Sequence, residues 1–399
     1  MSVVEYGPVT AWTPAELEMD ERHAAELARR RDVSVEPRGD SLWRVSPGAK
    51  VGIIVGDGWQ LRIRPRLRIP KLLFLLGYSE DPGWLDAGAS FEEVDELLDA
   101  LAAGFSWHAQ QALAPGPLRG YVSIQERELT VRGRVRFGDQ LARSPGQPIP
   151  LELEYDDFTA NIPENRLVLT ATELLLRLPR VPTAARKRLV RTRAVLDGVE
   201  TYHDPHAVQR PLITRLNKRY GPALTLAMLV LRARATALES GDVGSTTFLF
   251  DMNKVFESFL FAALSEALCR RHHGVLRRHA GVFLDIDERV DLLPDITWHE
   301  RGRCRGVIDA KYKSLVDKET MPNADAYQML AYCIGLGLDR GFLVYAKDAG
   351  EQLRDHIVKR HGYEIRVRHV DVEKEPRDLL DDVATLSDEI AGLPISLAA

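Results

Sequence analysis

The chain has 399 residues, 45% hydrophobic and 28% charged, the balance of a globular protein with sizeable cores divided into two or three domains. Its net charge of −5 does not advertise nucleic-acid binding, although a whole-chain total can hide local basic faces. Three widely spaced cysteines, Cys269, Cys304 and Cys333, form no C-x-x-C pair, which argues against a zinc ribbon or a disulfide framework and suits a reducing cytoplasm.

Met1 to Thr10 has neither a basic nor an apolar leader segment, and the longest apolar run, Leu72–Leu76, is far too short to span a bilayer. A cytoplasmic protein with no membrane partner is expected. From Trp12 to Arg31 the pattern predicts a helix that Thr13 can cap. Short strand-like runs follow at Leu42–Val45, Val51–Val55 and Gln60–Ile63. From Leu61 to Lys71 apolar residues alternate with Arg62, Arg64, Arg66, Arg68 and Lys71. Two readings stay open for this run: an edge strand with one solvated face, or a basic ribbon for nucleic acid or an acidic partner. Leu72–Tyr78 and Phe91–Phe105 read as helices.

A second basic segment, Gly120–Phe137, carries Arg127, Arg132, Arg134 and Arg136, and a Pro-rich joint then leads into the strand-like run Leu151–Phe158. Asn165–Leu178, Ala184–Leu196 and Pro211–Leu238 read as helices. The second of these carries Arg186, Lys187, Arg188, Arg191 and Arg193, either a solvated face or a phosphate track. Gly241–Ser245 reads as a joint. The expected organisation is an α+β region over 1–150, a helical middle over 151–244 and an α/β domain over 245–399.

Beyond the joint, Asp251 can cap a helix whose apolar face runs from Met252 to Ala267, with Glu257 at the flank of the stripe. On the residues alone Glu257 is an ordinary helix-surface acid near a positive helix end. Val290–Ile296 and Val307–Lys313 then read as two strands of a hairpin joined by a charged loop from Thr297 to Gly306. Period-two alternation places Asp309 and Lys311 on one face, opposite Asp295. Two carboxylates and an ammonium converge in an apolar setting of Leu292, Leu293, Ile296, Val307 and Ile308, where a buried charge needs a partner or a metal. Paired carboxylates suit a hard cation such as Mg²⁺ (or Mn²⁺), and the lysine can orient or help deprotonate an attacking water. Asn323–Tyr332 reads as a helix placing Gln328 and Tyr332 one turn apart. Gly341–Ala346 and Tyr363–Val372 read as strands and Arg377–Ile390 as a closing helix. This order predicts a mixed sheet with helices on both faces.

No phosphate-binding G-x-x-x-x-G-K-[ST] loop is present, so no nucleotide hydrolysis is expected of the chain itself. His203, His206, His272, His273 and His279 lack cysteines or carboxylates at metal-ligand spacing and read as ordinary surface or core histidines.

The Pro294–Asp295 … Asp309–Ala310–Lys311 pattern resembles the PD-(D/E)xK nucleases. Its order with Ile63–Arg66, Leu118–Gly120, Val131–Val135, Tyr155–Phe158, Asn165–Leu167, Phe250–Glu257, Ile308–Lys313 and Tyr327–Tyr332 resembles the McrC family, the nuclease subunit of McrBC-type modification-dependent restriction systems. That resemblance implies a restriction-endonuclease-like C-terminal sheet. It also implies a metal-dependent DNA endonuclease that works with, and stimulates, a hexameric McrB-like AAA+ GTPase docked on the N-terminal region. It brings Glu257 into the acidic cluster of Asp295, Asp309 and Lys311, and marks Lys313, Gln328 and Tyr332 as supporting or DNA-backbone residues. The rival expectations are a stand-alone RecB-like repair exonuclease and a non-catalytic adaptor that only activates a partner GTPase.

Overall fold

The structure is a computed structural model that describes residues 3–84, 96–143, 145–147, 149–239, 247–272, 274–312, 322–346, 355–359 and 362–392. The chain divides into two compact units, Met1–Leu97 with Thr236–Ala399, and Leu98–Ala235.

The first unit opens with β1 (Val4–Thr10), β2 (Ala15–Glu18), α1 (Glu21–Ala28), β3 (Ser34–Gly39), β4 (Leu42–Ser46), β5 (Lys50–Val55), β6 (Trp59–Arg64) and α2 (Ile69–Glu80). The single helix expected over Trp12–Arg31 is split. Ala15–Glu18 pairs with β4, and the Asp20 side chain, rather than Thr13, caps α1 by accepting the Arg22 N–H at 2.9 Å.

The second unit comprises α3 (Leu97–Leu113, its first residue in the first unit), β7 (Gly120–Glu128), β8 (Arg134–Val135), α4 (Phe137–Arg143), β9 (Leu151–Thr159), α5 (Pro163–Leu176), α6 (Thr183–Val195) and most of α7 (Gly221–Glu239). β9 is the central strand of a three-stranded antiparallel sheet. A buried polar knot ties the helices to the loop before β7. Tyr220 Oη donates to Asn165 Oδ1 at 2.8 Å, and Asn165 Nδ2 donates to the carbonyls of Leu118 and Ala160, each at 2.8 Å. The helical stretch Lys218–Glu239 is long and apolar enough to cross a membrane, but 67% of its apolar window is buried within the protein. It serves as a core helix.

The chain then returns to the first unit through β10 (Phe248–Asp251), α8 (Met252–Arg271), β11 (Val275–Arg278), β12 (Val282–Phe283), β13 (Asp291–Leu292), β14 (Ile296–Glu300) and β15 (Arg303–Lys311). It ends with α9 (Asn323–Leu336), β16 (Arg340–Ala346), β17 (His356–Ile357), β18 (Glu364–Val370) and α10 (Pro376–Ile390). The boundaries expected at 150 and 244 are therefore not those of the packing. β10 completes the N-terminal sheet β1-β6-β5-β10 by pairing antiparallel with β5, and α2 packs on α8 through Phe74, Tyr78 and Phe259. Hydrogen-bonding groups on the free edge of β5 and the apolar face of α2 find their partners far along the chain, in β10 and α8.

β6 lies between β1 and β5, so the basic run begins on an interior strand and not on an edge. Nor is it a free cationic ribbon. Arg62 meets Glu5 at 2.8 Å, Arg64 meets Glu96 at 2.6 Å, Arg68 meets Glu373 at 2.9 Å and Lys71 meets Glu375 at 2.5 Å. The last two pairs stitch the N-terminal segment to the stretch between β18 and α10.

The six-stranded sheet has the order β11-β14-β15-β16-β18-β17, with β15, β16 and β18 parallel and the remaining pairs antiparallel. Val307 packs with Met329, Tyr332 and Cys333 of α9, whereas its neighbour Gly306 faces Ile390 of α10. Alternation along β15 therefore places α9 on one face and α10 on the other, and α10 packs against α8. The mixed α/β architecture is the one expected. The hairpin is tighter than expected. Its turn is only Arg301–Gly302, both with positive φ (50° and 80°), so the strands continue through most of the predicted Thr297–Gly306 loop. Thr297 and Trp298 are buried there despite the polar look of the segment. The β14–β15 pairing, with a bulge between Trp298 and His299, extends back only to Ile296, and Asp291–Leu292 pairs separately with β12.

Candidate metal centre

Asp295 immediately precedes β14, and the Ile296↔Ile308 pairing carried one step further sets it opposite Asp309. The Ala310 N–H donates to Asp295 Oδ2 at 2.8 Å, fixing this carboxylate at the rim of the hairpin. Pro294 restricts Leu293 to extended backbone, which aims the Leu293 carbonyl at α9. Leu293 itself is 60% exposed rather than buried as expected; Ile296, Val307 and Ile308 are fully buried.

Asp309 is 1% exposed. Its Oδ2 lies 2.5 Å from Lys311 Nζ, and its Oδ1 accepts no hydrogen bond among the described residues. Burial and the neighbouring Asp295 push the Asp309 carboxyl up to about 7, against the attraction of Lys311. Burial also raises Asp295, and Glu257 raises it further, while the Ala310 N–H holds it back. Lys311 is pulled down by burial, but Asp309, Asp295 and Asp325 outweigh that and raise it, so the ammonium persists near neutrality.

A relay from α9 holds the lysine. Lys311 Nζ donates to Gln328 Oε1 at 2.9 Å, Gln328 Nε2 donates to Tyr332 Oη at 2.9 Å, and Tyr332 Oη donates to the Leu293 carbonyl at 3.0 Å. Burial and the two aspartates push the Tyr332 hydroxyl up, which keeps it a donor. α9 can sit this close because residue 341 on β16 is glycine: a Cβ there would come within 2.1 Å of Met329 Sδ and 3.0 Å of Cys333 Sγ. Tyr345, one strand over, donates to Asp325 Oδ2 at 2.7 Å and closes the polar interior behind the site.

The structure thus brings together Asp295, Asp309, Lys311, Gln328 and Tyr332, and it places Glu257 of α8 beside Asp295. Lys313 lies outside the described residues. His279 joins the group, although its sequence context had set it aside. Its Nε2 stands 3.1 Å from Glu257 Oε1, and Glu257, His279 and Asp295 offer ligand atoms all within 4.8 Å of one another. No local pattern could have found it, because its two acidic neighbours are 22 and 16 positions away. Of the two later basic segments, Arg132 meets Asp157 at 3.1 Å and lies over the Tyr155 ring, and Arg188 is half-buried on α6.

The donor set fits a divalent cation. A nearly inaccessible carboxylate with an oxygen that accepts no hydrogen bond among the described residues, held above its ordinary pKa by burial and by a second carboxylate, is an arrangement that a cation relieves. Fold and site together define a mixed α/β protein with a buried, lysine-paired aspartate and a second, half-buried aspartate opposite it at the rim of its sheet. The family of McrBC 5-methylcytosine restriction system components matches residues 45–346, and the chain belongs to that family. The chain is similar in fold to a chain of the refined half-complex from a tetradecameric assembly of Thermococcus gammatolerans McrB AAA+ hexamers with bound McrC. The TM-score is 0.59 at 17% identity, over 98% of this chain and 100% of that one. A cryo-EM structure of the Thermococcus gammatolerans McrBC complex is matched at a TM-score of 0.40 and 19% identity, over 67% of this chain and 88% of that one. No curated protein matches the chain.

Proposed function

We propose that this chain is the DNA-cleaving subunit of a McrBC-type restriction system, a metal-dependent endodeoxyribonuclease of the PD-(D/E)xK kind. The observation that carries the reading is the buried Asp309 carboxylate, paired with Lys311 and set opposite Asp295 on one hairpin. Asp295 and Asp309 would hold Mg²⁺ (or Mn²⁺), with Glu257 beside Asp295. When bound, such an ion supplies a Lewis acid for the phosphate and an acidified water for attack.

Lys311 is held as a cation between Asp309 and Gln328. A raised pKa makes it a poor base in the metal-free protein, so its role is to position the water and to offset charge on the phosphate. Gln328 and Tyr332 keep its ammonium aimed at the carboxylates, a positioning role. The family resemblance assigns Lys313 a DNA-binding or supporting role.

The chain carries no phosphate-binding loop, so translocation and GTP hydrolysis fall to a partner. Membership of the family, and a shared fold with the chain described with McrB AAA+ hexamers, support a McrB-like GTPase hexamer in that role. The N-terminal region, residues 1–150, would dock it and stimulate it. In support, β7 exposes Tyr121, 77% accessible and packed on Phe158 of β9, an apolar pair suited to a protein partner.

The test is cleavage of methylated circular DNA with a McrB-like partner, GTP and Mg²⁺. Wild type should cut, chelation should stop it, and Asp309→Ala should cut at least a thousandfold more slowly while still stimulating the GTPase. An Asp309→Ala protein that cuts normally contradicts the reading. Cleavage that requires a DNA end but no partner would point instead to a repair exonuclease.

A further inference from the structure

We infer that His279 is a nitrogen ligand of the metal centre, which joins Glu257 and Asp295 in a site selective for a transition-metal dication such as Mn²⁺ over Mg²⁺. The inference rests on the metal-centre reading above and names the ion that the centre selects.

Three features build this corner. His279 follows the last residue of β11, where Arg278 pairs with Ile296, and the His279 N–H donates to the Asp295 carbonyl at 3.2 Å. The ladder that places Asp295 thus also places His279. Arg278 lies 4.5 Å over the Phe261 ring, so the end of β11 is fastened to α8. Phe261 is one turn beyond Glu257 on the same face of that helix, so the same contact sets Glu257 opposite the imidazole.

His279 also takes a left-handed backbone conformation, φ 45°, which is sterically disfavoured for a residue with a Cβ. An exposed His–Glu contact contributes little stability, so the contact alone is a weak reason to keep this geometry. A metal ligand is a stronger one. Adjacent ligands on an octahedral ion with bonds of about 2.1 Å stand about 3 Å apart. His279 Nε2 and Glu257 Oε1 already stand 3.1 Å apart. Asp295 completes a face of three donors, two carboxylates and one imidazole, within 4.8 Å.

The donor chemistry decides the ion. Mg²⁺ takes oxygen ligands and keeps its waters, whereas an imidazole nitrogen suits first-row transition ions and carboxylates suit Mn²⁺. A mixed set of this kind accepts Mg²⁺ only by leaving the imidazole out.

The experiment uses the full chain with Mn²⁺, read by pulsed electron paramagnetic resonance for ¹⁴N coupling and by titration calorimetry for affinity. Wild type should show ¹⁴N coupling from one imidazole. His279→Gln should lose the coupling and bind Mn²⁺ at least tenfold more weakly, a loss of the size typical for perturbed metal ligation, with Mg²⁺ affinity changed less than threefold. Bound Mn²⁺ without ¹⁴N coupling, or coupling retained in His279→Gln, overturns the inference and leaves the metal centre standing if Asp309→Asn weakens binding. Mn²⁺ binding that is unchanged in Asp295→Asn and Asp309→Asn would overturn both.

Discussion

Replacing Asp309 by asparagine removes a charge that the metal-free protein buries at a cost. A carboxyl raised from 3.8 to about 7 by folding is protonated more readily in the folded than in the unfolded chain. The folded state therefore carries a penalty that begins to accrue as pH rises above the unfolded value and is complete above about 7. At about 1.4 kcal/mol per pKa unit, three units give about 4 kcal/mol at pH 8, falling to under about 2 kcal/mol at pH 5. Asparagine resembles the protonated acid in size and charge, so Asp309→Asn should be more stable than wild type by up to about 4 kcal/mol at pH 8 under chelating conditions. The advantage should shrink steadily toward pH 4. Guanidinium unfolding of both proteins at pH 5, 6.5 and 8 reads it directly, and saturating Mn²⁺ should erase or reverse it, since ligand binding stabilises only the form that holds it. A variant no more stable than wild type at pH 8, or a gap independent of pH, would refute the account of Asp309 as a buried acid that Lys311 compensates only in part.

Tyr332→Phe deletes the hydroxyl that links Leu293, Gln328 and Lys311, and should cost about 1 kcal/mol of stability in denaturant titrations. The same variant should slow cleavage while leaving metal affinity within threefold, because it loosens the lysine and not the carboxylates. Gly341→Ala forces a Cβ against Met329 and Cys333, and should destabilise by about 1–3 kcal/mol. Met329→Ala in the same chain should recover part of that loss, and strictly additive effects would contradict the packing argument.

Much of the first unit's C-terminal sheet was readable because its signals are local. Asp251 caps α8, accepting the Asn253 N–H at 2.9 Å, as its place before the apolar stripe predicted. Asp295, Asp309 and Lys311 converge because antiparallel pairing and two-residue alternation act over one hairpin. The turn was misjudged because charge around Arg301–Arg305 resembles a loop, whereas two residues with positive φ suffice to close the strands. The N-terminal misreadings share a different cause. Ala15–Glu18 follows a helical pattern but is claimed by the edge of β4, and Arg62, Arg64, Arg68 and Lys71 look free until Glu5, Glu96, Glu373 and Glu375 arrive from elsewhere. The discontinuous first unit was hidden for the same reason, since the pairing of β5 with β10 leaves no mark in either strand. His279 was invisible because its partners lie on a helix and a hairpin that only the fold brings together.

The central claim is that Asp295 and Asp309 are metal ligands. Titration of Mg²⁺ and Mn²⁺ into the full chain, with a short DNA duplex present to complete the coordination shell, tests it most directly. The account predicts saturable binding by wild type that disappears in the Asp295→Ala, Asp309→Ala double variant, with the secondary structure of that variant intact by circular dichroism. Equal binding by a folded double variant would place the metal elsewhere and contradict the account.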